Sequence, residues 1–216
     1  MKKTHLIFVI ALVISVIPGL AAAGMVLVTP SLPPENYGGV VAEQPTYTVG
    51  QYWLFKFPLL NNAVAKWEYL GEKDDSLVLL SGNNKYVRYL SKGLTTVKVI
   101  EKSTGAIVYE VKGQLQDLQF PLWVGKSWMY TDKMMGDKDY VYYEFLYTVV
   151  EYAPVTVQAG TYQAFRVLRT CRKKEMVGIT ECAPDENYWY APATKMVIKL
   201  TSGEKAAPRE LVSVSK

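Results

Sequence analysis

Histidine is almost missing. The 216-residue chain has one, His5, and it falls in a segment that reads as a removable leader. What remains after export would carry no imidazole. That excludes a serine–histidine or cysteine–histidine nucleophile and any histidine metal site within the chain. A charge excess is missing too. With 24 basic against 20 acidic residues the net charge is +4, too mild for a nucleic-acid binder or a polybasic membrane binder. No glycine-rich loop follows a strand and opens a helix, which disfavours a nucleotide enzyme. No acidic loop has the ligand spacing of a dedicated calcium site. No stretch after the leader shows a helical stripe. What the chain does have is apolar and aromatic: 50% hydrophobic, 12% aromatic and 16 tyrosines. That is the composition of a folded globular protein.

The first residues run Met1-Lys2-Lys3-Thr4-His5, then an apolar stretch Leu6 to Ile17, then Pro18-Gly19-Leu20-Ala21-Ala22-Ala23. A positive start, an apolar middle and a small-residue exit are the parts of a secretory signal. Residues 1–23 are therefore expected to be a signal peptide, with Gly24 becoming the first residue. The alternative is an uncleaved anchor, since apolar character continues to Val28. No cysteine follows the cleavage point, so lipid attachment there is not expected. The expected location is the periplasm or the exterior. Membrane contact would come only through an uncleaved leader.

Two cysteines occur, Cys171 and Cys182. An even count in an exported chain favours a disulfide. The flanking segments can fold onto each other as a hairpin centred between Met176 and Val177, which would set the two cysteines opposite one another. Redox catalysis is disfavoured, because catalytic pairs usually stand only two residues apart.

Residues 24–44 contain Pro30, Pro33, Pro34, Gly38 and Gly39 with little periodicity, and read as a linker that lets the folded part stand off. Beyond it, short β-branched and aromatic runs alternate with turn residues. Val97 to Ile100 and Ile107 to Val111 flank Ser103-Thr104-Gly105 as a hairpin. Asp139 to Tyr152 reads as one long strand, with Tyr143, Phe145, Tyr147 and Val149 on one face. Gly82-Asn83-Asn84, Ala159-Gly160-Thr161 and Ser202-Gly203-Glu204 are turn centres. The fold class predicted is all-β: antiparallel meanders forming a curved sheet or half-barrel.

An internal echo suggests two related modules, residues 45–117 and 118–216. Val49-Gly50-Gln51-Tyr52-Trp53-Leu54-Phe55 parallels Val124-Gly125-Lys126-Ser127-Trp128-Met129-Tyr130. Farther on, Gly82, Arg88 and Leu90 match Gly160, Arg166 and Leu168 in order. Alternation puts Trp53 with Phe55, and Trp128 with Tyr130, on one face of each sheet.

Acid–base chemistry would fall to carboxylates, lysine or tyrosine. The acidic clusters Asp74-Asp75, Asp137/Asp139 and Asp185-Glu186 all lie in turn-like settings, the ordinary home of adjacent carboxylates. No catalytic residue, metal site or cofactor is predicted. Trp53, Trp67, Trp123, Trp128 and Trp189, with Tyr188 and Tyr190, either pack a core or line a concave surface for an apolar ligand or a sugar. The run Arg166, Arg169, Arg172-Lys173-Lys174 reads as a solvated face guarding an edge strand, or as a contact for anionic lipid or polysaccharide.

The segment Thr148-Val149-Val150-Glu151-Tyr152-Ala153-Pro154-Val155-Thr156-Val157-Gln158-Ala159-Gly160-Thr161-Tyr162, followed by Tyr188-Trp189-Tyr190-Ala191-Pro192 and a final hairpin, resembles a family of uncharacterised exported bacterial β-proteins. Their C-terminal half carries a V-x-V-P-A-G-T-aromatic segment and a Y-W-aromatic-x-P segment. The resemblance spans about residues 118–216. Gln158 stands where the family has proline, and Ala153 where an acidic residue is common. The resemblance implies an envelope β-protein without catalytic residues, similar in fold to the open half-barrels of periplasmic lipoprotein carriers. The expected function is non-enzymatic: binding an apolar ligand or an envelope protein through a curved sheet. The alternatives are a carbohydrate-associated enzyme using paired carboxylates and a structural assembly component that pairs by its sheet edge.

Overall fold

The computed structural model describes residues 25–111, 116–135, 140–175, 182, 184–202 and 209–215. The leader, Gly24, Asp137, Asp139, the Met176–Val177 centre and Gly203-Glu204 lie outside them. The strands are β1 (Met25–Leu27), β2 (Tyr52–Phe57), β3 (Ala63–Lys73), β4 (Ser76–Ser81), β5 (Tyr86–Leu90), β6 (Thr96–Glu101) and β7 (Ile107–Glu110). After them come β8 (Ser127–Met135), β9 (Tyr140–Val157), β10 (Gly160–Glu175), β11 (Glu186–Ala191), β12 (Met196–Ser202) and β13 (Arg209–Val214). All belong to one antiparallel sheet that curves without closing, in the order β1-β8-β9-β10-β11-β12-β13-β2-β3-β4-β5-β6-β7. The fold is all-β, as the alternation predicts. Two consecutive meanders, β2 to β7 and β8 to β13, are joined where the last strand pairs with the first of the other meander: Leu211 opposes Phe55 and Val214 opposes Trp53.

Local chemistry explains the hairpins. Asp74 and Asp75 sit at φ 49° and 58° between β3 and β4, a two-residue turn that short polar residues tolerate. Their adjacent carboxylates are turn residues. The echoed Val-Gly segments are also turns. Gly50 and Gly125 adopt φ 87° and 101°, where a side chain would be strained. Each donates to the second strand of its meander, Gly50 N to Tyr69 O and Gly125 N to Val149 O, at 2.9 and 2.8 Å. Each turn delivers its tryptophan to the first strand of a meander. The second part of the echo falls on non-equivalent hairpins: Gly82 joins the third and fourth strands of its meander, Gly160 the second and third.

Alternation gives the sheet one apolar inner face. Trp53, Phe55, Trp67, Leu77, Leu79, Trp128, Tyr130, Tyr147, Val149, Phe165 and Val167 are buried along it. Trp53 lies with Phe55, and Trp128 with Tyr130, on the face predicted for them. Topology supplies the cover. Strand β7 ends the sheet on one side and β8 stands next to last on the other, so the chain between them must cross it. From Gln116 to Val124 it runs over the inner face, with Leu118 and Leu122 buried and Phe120 packed edge-on to Tyr190 at 5.1 Å. The aromatic surface is thus a filled core along this path. Lys126 locks the crossover: its Nζ is fully buried and donates to the carbonyls of Gln119 and Pro121, both at 2.8 Å. Desolvation lowers its pKa to about 8, against a pull upward from Glu43.

Residues 25–44 of the expected linker do not stand off from the sheet as a linker would. Strand β1 pairs with β8, Thr29 Oγ1 accepts from Ser127 N at 2.9 Å, and Ala42 is buried in a bridge with Leu122. The reason is that β8 would otherwise expose an unpaired edge, and these residues cover it. Cys171 and Cys182 form a disulfide, with Cα atoms 5.6 Å apart, just past the paired part of the β10–β11 hairpin.

Candidate functional site

Three arginines point inward. Arg88 stands two residues before buried Leu90, Arg169 two after buried Val167, and Arg209 two before buried Leu211. Strand periodicity therefore places each on the core face. The Arg88 guanidinium carbon lies 4.7 Å from the centre of the Trp67 ring, and that of Arg209 lies 4.8 Å from the same ring and 4.8 Å from Phe55. Arg169 stacks on Phe145 at 4.6 Å. Glu186 shares the inner face with Tyr188 and Tyr190. The crossover brings Asp117 to the same chamber, its backbone N–H held by Thr95 Oγ1.

The carboxylates are unequally partnered. Glu186 accepts from Arg169 at 2.9 Å and from the Tyr188 hydroxyl, so both of its oxygens are engaged. Asp117 keeps some accessible surface, yet it is hemmed in closely enough that desolvation raises its pKa to about 6. That value already includes the downward pull of Arg169, the Thr95 hydrogen bond and Arg209 and the upward push of Glu186. Desolvation first and the Arg88 charge second lower Arg209 to about 10, against Asp117 and Tyr188. For Arg169, burial works against the charge, but Tyr188, Glu186, Tyr147 and Asp117 outweigh it and the pKa is raised. The tyrosines of this region, Tyr147 and Tyr188, are raised mainly by burial and stay neutral.

The crossover leaves one end of the inner face uncovered. There, between β5, β6 and β7, a cavity of about 340 Å³ is lined by Tyr86, Arg88, Thr96, Val99, Val108 and Tyr109. Val108 enters the lining because a bulge between Val99 and Ile100 leaves it unpaired in the β6–β7 ladder. Arg88 is the charged side chain of that lining, and its Nη1 donates to Thr96 Oγ1 at 2.8 Å.

The residues singled out from sequence divide sharply. Trp53, Trp67, Trp123 and Trp128 are core residues; Trp189 faces outward on β11, with the Lys199 ammonium 5.2 Å from its ring. Within the basic run, Arg166 and Arg169 guard no edge, because β10 is paired there with both β9 and β11; Arg172-Lys173-Lys174 lie past the β11 pairing. Arg166 faces out and pairs with Glu151 at 2.6 Å, whereas Arg169 faces in. Asp185 is exposed, and Asp117, which carries the raised carboxyl, was not singled out. The signal that finds the inner cluster is the two-residue spacing of each arginine from a core residue. Among the described residues no three metal-ligating side chains come together.

No protein-family model matches the chain. No curated protein matches it either. Among solved structures, the chain is similar to a protein assigned as exported, with a YmcC-like fold, from Bacteroides fragilis: 12% identity, 81% of this chain and 100% of that one covered, TM-score 0.41. It is also similar to a protein assigned as a lipoprotein from Parabacteroides distasonis, at 10% identity, with 82% of this chain and 100% of that one covered and a TM-score of 0.35. At these scores neither likeness bears on what the chain does.

Proposed function

We propose that the chain is an exported, non-enzymatic envelope protein that holds a small apolar ligand at the uncovered end of its curved sheet. The observation that carries this reading is the cavity beside β7, where Tyr86, Val99, Val108 and Tyr109 offer apolar surface around one oriented cation. Its volume is at the small end of the range for ligand sites. The Cys171–Cys182 bridge suits an oxidising compartment such as the periplasm or the exterior. Against paired-carboxylate catalysis, Glu186 is held as a counter-ion, one oxygen on Arg169 and the other on the Tyr188 hydroxyl.

The test is fluorescence titration with N-phenyl-1-naphthylamine, a neutral apolar probe. Binding should be lost in Val108→Asp and retained in Val49→Asp, a change at an exposed position far along the chain from the cavity. Equal binding by the two variants, or none by the unaltered protein, sinks the reading.

A second reading has its own observation. Strand β7 ends the sheet, and Ile107, Val108 and Tyr109 are 54%, 58% and 45% exposed. An apolar edge of this kind accepts a partner strand. A protein that co-purifies from the envelope with the unaltered chain but not with Ile107→Lys, while probe binding persists, would favour it.

A further inference from the structure

We propose that the inner end of this cavity is an anion site, with Arg88 as the direct ligand and Arg209 as a second positive charge across Trp67, so that the ligand is an anionic amphiphile. The inference rests on the cavity being a site for an apolar ligand and names what its polar end must be.

The three inward arginines are not equivalent. Arg169 has its counter-ion, Glu186, at 2.9 Å. Neither Arg88 nor Arg209 has a carboxylate of any described residue within ion-pair distance. The Nε atoms of all three are buried without a hydrogen-bond partner among the described residues, so the carboxylate is what sets Arg169 apart. Two guanidinium groups flank one indole, each less than 5 Å from its ring centre. Ring stacking offsets only part of what such burial costs, and an unpaired desolvated charge is among the least favourable things a core can hold. The two cations also repel, which is why Arg88 weakens the hold of Arg209 on its proton. An anion on Arg88, the one of the two that lines the cavity, pairs that charge and weakens its repulsion of Arg209.

The cavity shows where that anion enters. Arg88 lines it, and the bond from its Nη1 to Thr96 Oγ1 orients the guanidinium fork. A fork of fixed geometry suits a planar carboxylate or a phosphate, to which it can donate two parallel hydrogen bonds. Val99, Val108 and the two tyrosine rings then take the chain attached to that head group. The shared chemistry is a single anionic head on an apolar tail, as in a fatty acid or an alkyl phosphate.

Isothermal titration with decanoate, decyl phosphate and decanol separates the possibilities. Decanoate or decyl phosphate should bind the oxidised, full exported chain more tightly than decanol, and the stronger of the two identifies the head group. R88Q should weaken the anionic ligand about tenfold or more, and R209Q several-fold, while decanol affinity stays the same in both. Near-UV circular dichroism checks that each variant folds. A measurement on the unaltered protein covers the case in which one does not: the Arg88 Nε–H resonance should shift with the anionic ligand and not with decanol. Anionic affinities within twofold of the unaltered protein in R88Q, a preference for decanol, or an Arg88 resonance blind to the head group would overturn the anion site and leave the apolar cavity standing. Failure of all three ligands to bind would overturn both.

Discussion

Trp53 and Trp128 occupy matching places after matching turns, and both are fully buried, but they are not chemically equal. The Trp53 indole N–H donates to Thr194 O at 2.8 Å. That of Trp128 has no partner among the described residues, and its ring is stacked on Tyr147 at 5.4 Å. Truncation of either to alanine should cost about 3–5 kcal/mol, as for other buried aromatics. Phenylalanine separates them. Trp53→Phe strands the Thr194 carbonyl, whereas Trp128→Phe removes a donor that bonds no described residue. Urea unfolding should therefore show Trp53→Phe the less stable by roughly 1–2 kcal/mol, and the reverse order would refute this account of the two sites. Asp117 gives a second prediction at this scale. Its folded pKa is raised to about 6 from 3.8, so between those values the folded state holds a proton that the unfolded state releases. The stability from this group is complete below about pH 3.8 and is lost as pH rises through 6. The difference in melting temperature between the unaltered protein and Asp117→Asn should change across that window and level off above it. A flat difference would mean that the carboxyl titrates normally.

At the scale of elements, the crossover is the feature whose cause lies farthest from its own sequence. Its fit depends on Gly93. A Cβ there would stand 2.2 Å from Leu118 O and 2.8 Å from the Gln116 side chain, while Leu118 N donates to Gly93 O at 3.0 Å. Gly93→Ala should push the crossover off the inner face, at a cost of about 1–3 kcal/mol, and increase hydrogen exchange at Leu118 and Leu122. Unchanged protection at both would show that the segment does not depend on this approach. The strands themselves were legible, because period-two alternation and the Gly, Asn and Asp turns are local signals. The β6–β7 hairpin and the long β9 lie close to where the sequence puts them. The crossover was not legible, because its path follows from β7 and β8 standing on opposite sides of the sheet, which no local pattern encodes. The cluster was half legible. Arg169 belongs to the same alternating row as Phe165 and Val167, but the basic residues after it read as a solvated face. Nothing near Asp117 in sequence says that three arginines from distant strands surround the chamber it enters.

For the whole molecule, the two meanders share too much to unfold separately. The closing ladder sets the C-terminal strand against β2, with Val214 opposite Trp53. The Trp53 indole is bonded to Thr194, and the Tyr47 hydroxyl donates to Lys195 O at 2.9 Å, both acceptors lying in the other half of the chain. The crossover from the end of the first meander packs on Tyr190 in the second. Losing either half would strip the inner face of the other and break these bonds together. That cost is cooperative, so urea should unfold residues 45–117 and 118–216 in one transition despite their echoed turns. Pulsed hydrogen exchange read by mass spectrometry can follow peptides from β3 and β9 at each urea concentration. Both should pass from protected to exchanged at the same midpoint, with no species protected in one and open in the other. Midpoints separated by more than about half a molar urea, well outside what a shared transition allows, would show two independently stable modules. The ladder between β13 and β2 would then be a contact between domains rather than the seam of one sheet.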